Sequence, residues 1–280
     1  MRKLLLFSCL LLAFQPIYAQ YWEVGASAGV SSYIGDLQPT APPIQSFLPS
    51  GGVFARYNYS PHLSFKGSAT YGAFYASDHY ATGYKVARNL EVRTTYYELA
   101  AMAELNLTKF DVADGHISAP YLFAGIAGFY FNPQARDYNT NIWTDLQPLG
   151  TEGQTLEGGK KYSRMQVAVP FGVGFRLSLT PRVNLGFEIG FRQTFTDYLD
   201  DVSGTYPDLD ALAKQNPVAA TFSYRTPTYT NQKLESPAGR KRGDSYKFDV
   251  YYFVGASLSV NLADKRQMEF NRSYRAFWGL

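Results

Sequence analysis

A period of two, repeated in eight segments, is what most constrains this chain. In "PFGVGFRLSLTPRVNLGFEIGFRQTF", Pro170 to Phe195, the residues Val173, Phe175, Leu177 and Leu179 alternate with glycine, serine and Arg176. After "TPR" the rhythm resumes with Val183, Leu185, Phe187, Ile189 and Phe191, interleaved with Glu188 and Arg192. Successive side chains of a strand point to opposite faces, so this hairpin has one oily face and one charged face.

Six further segments alternate in the same way: "YWEVGASAGV", "GGVFARYNY", "LSFKGSATYGAFY", "TTYYELAAMAELNL", "APYLFAGIAGFYF" and "YKFDVYYFVGASLSVNL". In the fifth strand the apolar set reads Tyr121, Phe123, Ala127, Phe129 and Phe131, although its other face is also fairly apolar. The eighth aligns Phe248, Val250, Tyr252, Val254, Ala256, Leu258, Val260 and Leu262. These segments are long for globular strands, which average five or six residues, and suit the 9–11 residues that a tilted strand needs to cross hydrocarbon.

Connection lengths alternate as well. Ser60–His62, the stretch around Asp111–Ser118, and Thr180–Arg182 are short; 31–51, 77–92, 132–164 and 196–245 are long. Short turns at one end and long loops at the other mark an outer-membrane barrel with its turns and termini in the periplasm. The rival is a soluble eight-stranded barrel of lipocalin type, which inverts the faces; strand length and loop asymmetry favour the membrane form.

The opposite faces carry Glu23, Arg56, Lys66, Glu98, Glu104, Arg176, Glu188, Arg192, Lys247 and Asp249. A basic side chain costs about 2–4 kcal/mol at the bilayer midplane, whereas an eight-stranded barrel has an interior that side chains can fill. The reading is therefore all-β: an eight-stranded antiparallel transmembrane barrel with a filled polar lumen of paired charges and long extracellular loops. Tyr57, Tyr59, Tyr71, Tyr75, Tyr97, Tyr121, Phe129 and Phe131 are placed at strand ends as an aromatic girdle.

Composition agrees. The 280 residues include 23 Tyr, 20 Phe and 24 Gly, and only 18% are charged. The formal charge of +3 argues against a nucleic-acid partner. Residues 1–19 read as a secretory signal, with Arg2 and Lys3, the apolar "LLLFSCLLLAF", and Ala19 at the cleavage point. A lipoprotein reading of Cys9 is poor because Lys3 lies so close. The barrel is assigned to 20–262 and a periplasmic tail to 263–280.

No catalytic, cofactor or metal set is legible. His62, His79 and His116 fall in turns and loops with no Ser–His–acid arrangement. Asp197, Asp200, Asp201, Asp208 and Asp210 lack EF-hand spacing; they read either as calcium ligands or as caps for a short helix in "PDLDALAKQ". In the tail, Arg272, Arg275, Phe277 and Trp278 are candidate contacts for a periplasmic partner.

Several stretches are more specific than the alternation: "YIGDLQP", "ARNLEVRTTYYELAAMAELN", "YLFAGIAGFYFNPQA", "LQPLGTEGQ", "VPFGVGFRLSL", "FRQTFTDYLDDVSGTY" and "RGDSYKFDVYYFVGASLSV". Together they resemble the PorG-like (DUF6089-type) barrels of the type IX secretion machinery of Bacteroidetes-type bacteria. The resemblance spans Tyr21 to about Asn261. It implies a non-enzymatic outer-membrane component that meets a periplasmic ring built from a lipoprotein and its partner. A small channel or transporter is the alternative, and a lipid-modifying enzyme a weaker third. "YIGDLQP", "LQPLGTEGQ" and "TDYLDDVS" all fall in long loops, which suggests that loops one, three and four form an ordered cap.

Overall fold

The computed structural model describes residues 21–263 apart from 39–41, 113–114, 139 and 232–234. The expected signal segment 1–19 and the tail contacts Arg272, Arg275, Phe277 and Trp278 lie outside the described residues. The strands are β1 (Tyr21–Ile34), β2 (Leu48–Asn58), β3 (Leu63–Ser77), β4 (Glu91–Asn106), β5 (Ser118–Arg136), β6 (Trp143–Asp145), β7 (Met165–Ser178), β8 (Val183–Thr194) and β9 (Val250–Asn261).

All pairings are antiparallel, and the eight long strands follow one another around the sheet. Pairing of β1 with β9, from Glu23↔Asn261 to Ile34↔Val250, closes the cylinder. Closure removes the free edges that an open sheet would expose. The short β6 adds only to the loop end of β5, with Gln134 opposite Asp145 and Arg136 opposite Trp143.

Register turns the alternation into two surfaces. Val53, Leu99, Val173, Ile189 and Leu258 stand on the outer wall, at 45–70% exposure. Inside, the same register sets Glu23 beside Arg56 and Arg56 beside Lys66. Apolar residues outside and charges inside are the reverse of a lipocalin-type barrel.

One strand departs from expectation. On β5 the inward face holds Tyr121, Phe123, Ala127, Phe129 and Phe131, each no more than 5% exposed, while Leu122 and Ile126 face outward at 44% and 72%. The reason is shape. Gly174 on β7 lies under the Tyr121 ring, where an added Cβ would come within 2.2 Å of it, and Gly172 and Gly190 stand similarly close to Phe123. Glycines on the neighbouring strands β7 and β8 make room for large inward rings, and β5 alone, apolar on both faces, does not reveal which face they take. Tyr121, Phe129 and Phe131 therefore leave the expected girdle. Tyr71 and Tyr97 keep their place there, 50% and 59% exposed, with ring centroids 4.9 Å apart. Tyr252 stays on the outward register but is buried, its ring flanked by Phe47 and Phe191 at 5.9 and 5.7 Å.

Among the described residues five short α-helices lie in the long connections: α1 (Tyr84–Arg88), α2 (Leu146–Leu149), α3 (Leu209–Gln215), α4 (Pro217–Ser223) and α5 (Thr226–Thr230). Asp208 caps α3 by accepting the backbone N–H groups of Asp210 and Ala211, which matches the helix-cap reading of the acidic stretch. Among the described residues no three His, Cys, Asp or Glu side chains are arranged to hold a metal ion.

Candidate functional site

Two layers fill the barrel. In the layer toward the short turns, β1, β2, β4 and β7 bring an ionic cluster together. Arg56 donates through Nη1 to Glu23 Oε1 at 2.6 Å and through Nε and Nη2 to Glu104 at 2.7 and 3.1 Å. Arg176 donates to Glu104 Oε2 at 2.5 Å and to Asn58 Oδ1 at 3.1 Å, with its guanidinium over the Phe110 ring. Lys66 donates to Glu188 Oε2 at 2.6 Å. Further toward the loops, Arg192 meets Glu98 at 3.2 Å, and the Tyr251 hydroxyl donates to the same carboxylate at 2.5 Å. Four cations thus face four carboxylates, and all but Glu188 are buried. Buried charges are tolerable only when paired and hydrogen-bonded.

Above this layer, Tyr33, Phe74, Tyr96, Phe129, Phe131 and Tyr251 form an aromatic plug. Tyr33 stacks on Phe74 at 4.8 Å, and Phe129 meets Tyr251 at 5.3 Å. Beside the ionic layer, a cavity of about 20 Å³ remains, lined by residues including Lys66, Met102, Glu188, Arg192 and Phe253. That is room for about one water.

Two of the ten expected lumen charges lie elsewhere. Lys247 is a correction: its side chain is 83% exposed, 3.9 Å from Asp244. β9 begins only at Val250, and a turn from Asp244 to Lys247 precedes it, so the alternation does not extend that far. Asp249 is buried, but it belongs to the cap, where it accepts the Leu199 N–H at 2.9 Å.

The cap joins all four long connections. The Tyr33 hydroxyl and the Leu37 N–H both donate to Asp200, at 2.7 and 3.0 Å. Thr151 and Tyr162 donate to Asp201 at 2.5 and 2.7 Å. Glu152 accepts the N–H groups of Ser203 and Gly204. "YIGDLQP" and "LQPLGTEGQ" are therefore each bonded to "TDYLDDVS" or the residues just after it. The remaining connection enters through Arg88, which forks onto Asp78 at 2.6 and 2.7 Å and donates to the Arg242 carbonyl at 2.5 Å. Arg242 in turn reaches Glu152 Oε1 at 2.9 Å and the Asp201 carbonyl at 2.5 Å. Gly35 is required here, because a Cβ would fall 2.1 Å from Asp249 Oδ1.

The cap acids are perturbed. Burial pushes Asp200 up to about 7, and the nearby Asp36 charge adds to the rise. Burial likewise raises Asp201 to about 6 although Arg242 opposes it, and raises Asp197 to about 8. The chain Asp78–Arg88–Arg242–Glu152 had no sequence signal, since loop residues carry no period to read.

Comparison with known proteins adds the following. The solved structures similar to this chain include the neisserial surface protein A (NspA), at 12% identity and TM-score 0.42, covering 85% of this chain and 96% of that one. The N-terminal β-barrel domain of Pseudomonas aeruginosa OprF is similar at 10% identity and TM-score 0.36, covering 87% and 99%. Ail, the attachment invasion locus protein of Yersinia pestis, is similar at 8% identity and TM-score 0.37, covering 86% and 98%. No curated protein matches the chain. The family model described as "Domain of unknown function (DUF6089)" matches residues 2–219, which takes in the barrel through β8 and the cap motifs of loops one, three and four. By that match the chain belongs to the DUF6089 family.

Proposed function

We propose that this protein is a bacterial outer-membrane barrel with its short turns and termini in the periplasm and its long loops outside. It serves as a non-enzymatic component of the type IX secretion machinery, anchoring or organising the periplasmic ring built from a lipoprotein and its partner. The filled interior carries the reading furthest: among the described residues the lumen charges pair with one another, and the cavity beside them is about 20 Å³. A lumen occupied by paired charges and an aromatic plug favours a structural role over a small channel. The apolar outer wall supports the bilayer, because lipid tolerates only closed barrels among sheets. The secretion role rests on the motif resemblance.

Deletion of the gene is expected to stop secretion of many cargo proteins at once while outer-membrane permeability stays unchanged. Crosslinkers placed at His62 and Arg182, in the short turns, are expected to capture ring proteins in intact cells. Normal cargo secretion in the deletion strain overturns the proposal.

A further inference from the structure

The outer wall changes character abruptly along β4 and β5. On β4 the outward residues are apolar from Leu105 to Tyr97 and become polar at Thr95 and Arg93; on β5 they are apolar from Leu122 to Tyr130 and become polar at Asn132 and Gln134. Register aligns Tyr71 with Tyr97 and Tyr97 with Tyr130, so the tyrosines mark one border across three strands. Arg93 lies four residues beyond that border, about 13 Å of strand, or about 10 Å along the axis at the usual tilt. That is headgroup depth on the loop side.

A small network presents two guanidinium groups there. Asp145 Oδ1, delivered by β6, accepts the side-chain amides of Asn132 and Gln134 at 2.9 and 2.7 Å. This turns both amide oxygens toward arginines. Gln134 Oε1 accepts from Arg93 Nη2 at 2.9 Å, and Asn132 Oδ1 accepts from Arg164 Nη1 at 2.8 Å. Each guanidinium also lies over a ring, Arg93 on Trp143 at 4.2 Å and Arg164 on Tyr130 at 5.1 Å. Neither makes an ion pair among the described residues, and Arg93 Nε is buried without a hydrogen-bond partner. Asp145 makes no ion pair with either arginine among the described residues, and Glu91 nearby is held by Tyr75, Arg136 and Arg225. Two arginines are thus oriented around one carboxylate, leaving a net positive charge where a bilayer presents its headgroups.

The geometry points to a binding site for the phosphate of an anionic lipid headgroup, with Arg93 and Arg164 as its ligands. Guanidinium forks match phosphate oxygens, and ring stacking keeps the side chains from sweeping freely through solvent. This inference rests on the membrane reading above. Near a surface, each arginine favours an anionic lipid by about five-fold.

The test uses the full chain refolded in detergent, with bound lipids counted by native mass spectrometry against phosphatidylglycerol and phosphatidylcholine. Phosphatidylglycerol is expected to bind at least about five-fold more tightly, and the double variant Arg93→Gln, Arg164→Gln to reduce that ratio below about two-fold. If that variant does not fold, Arg93→Lys with Arg164→Lys keeps the charge, loses the fork, and is expected to lower the ratio at least about two-fold. A parent ratio near one, or a ratio unchanged in the variants, overturns the site. Flotation with phosphatidylcholine vesicles separates the two readings: a chain that does not float refutes the bilayer assignment, whereas one that floats without lipid preference refutes this site alone.

Discussion

Glu104→Gln is the substitution that most directly probes the sealed lumen. Glu104 is 1% exposed and stands 2.5 Å from Arg176, 2.7 Å from Arg56 and 3.8 Å from Lys66. Glutamine keeps the size and one acceptor but removes the charge that balances these cations. At an effective dielectric constant of about 20, unit charges about 4 Å apart attract by about 4 kcal/mol, so two close contacts forfeit about 8 kcal/mol gross. Relief of the buried carboxylate's own desolvation offsets part of this. Removing one partner of a buried ion pair typically costs about 3–5 kcal/mol, and we expect that loss here. Adding Arg176→Met restores balance, because Arg56 retains Glu23 and Lys66 retains Glu188. The double variant is expected to recover about 2 kcal/mol relative to Glu104→Gln alone. Urea unfolding of the full chain in detergent micelles, followed by tryptophan fluorescence, measures both. A single variant within about 1 kcal/mol of the parent would mean that water already solvates these charges, as around an exposed pair. That result, or a double variant no more stable than the single, refutes the sealed ionic plug.

Three other outcomes follow from the same geometry. Ile126→Arg, at the middle of the outward face of β5, is expected to cost about 2–4 kcal/mol for folding into vesicles; a water-facing site would change stability by only about 0.5 kcal/mol, and that small value would contradict a lipid-facing wall. Gly174→Ala drives a methyl group against Tyr121 and is expected to cost about 1–3 kcal/mol, with Tyr121→Leu in the same chain raising the urea midpoint again; an additive second loss would show that the two sites do not collide. The cap should also respond to pH. Burial raises Asp200 to about 7 and Asp201 to about 6 in the folded chain, against an ordinary 3.8. Between those values the folded state holds more protons than the unfolded one, so the contribution of these two acids to cap stability is full below about pH 4. It declines as pH rises through about 6 to 7. Hydrogen exchange in the 196–204 segment, corrected for intrinsic rates, is expected to show less protection at pH 8 than at pH 5; equal protection would refute the burial of uncharged acids.

The outward apolar set was readable on seven of the eight long strands because alternation is a local property: each inward charge is flanked by outward hydrophobic residues on its own strand. β5 resisted, since Tyr121 and Leu122 are both apolar enough for either face, and the choice is made by Gly174 on a different strand. The helix cap at Asp208 was legible for the same local reason. The cap chain from Asp78 to Glu152 was not, because loops have no period. Lys247 looked like a continuation of β9 only because alternation alone does not say where a strand starts.

The residue order by itself determined a closed sheet of eight long strands with charge on one side and oil on the other. Those are consequences of spacing along one strand and of the need to pair every strand edge. Tertiary structure alone decided which charge meets which. Lys66 and Glu188 bond across 122 residues of chain, and Tyr33 and Asp200 across 167. Such partnerships depend on where closure brings distant strands and loops, and two residues so far apart share no local pattern that could announce them.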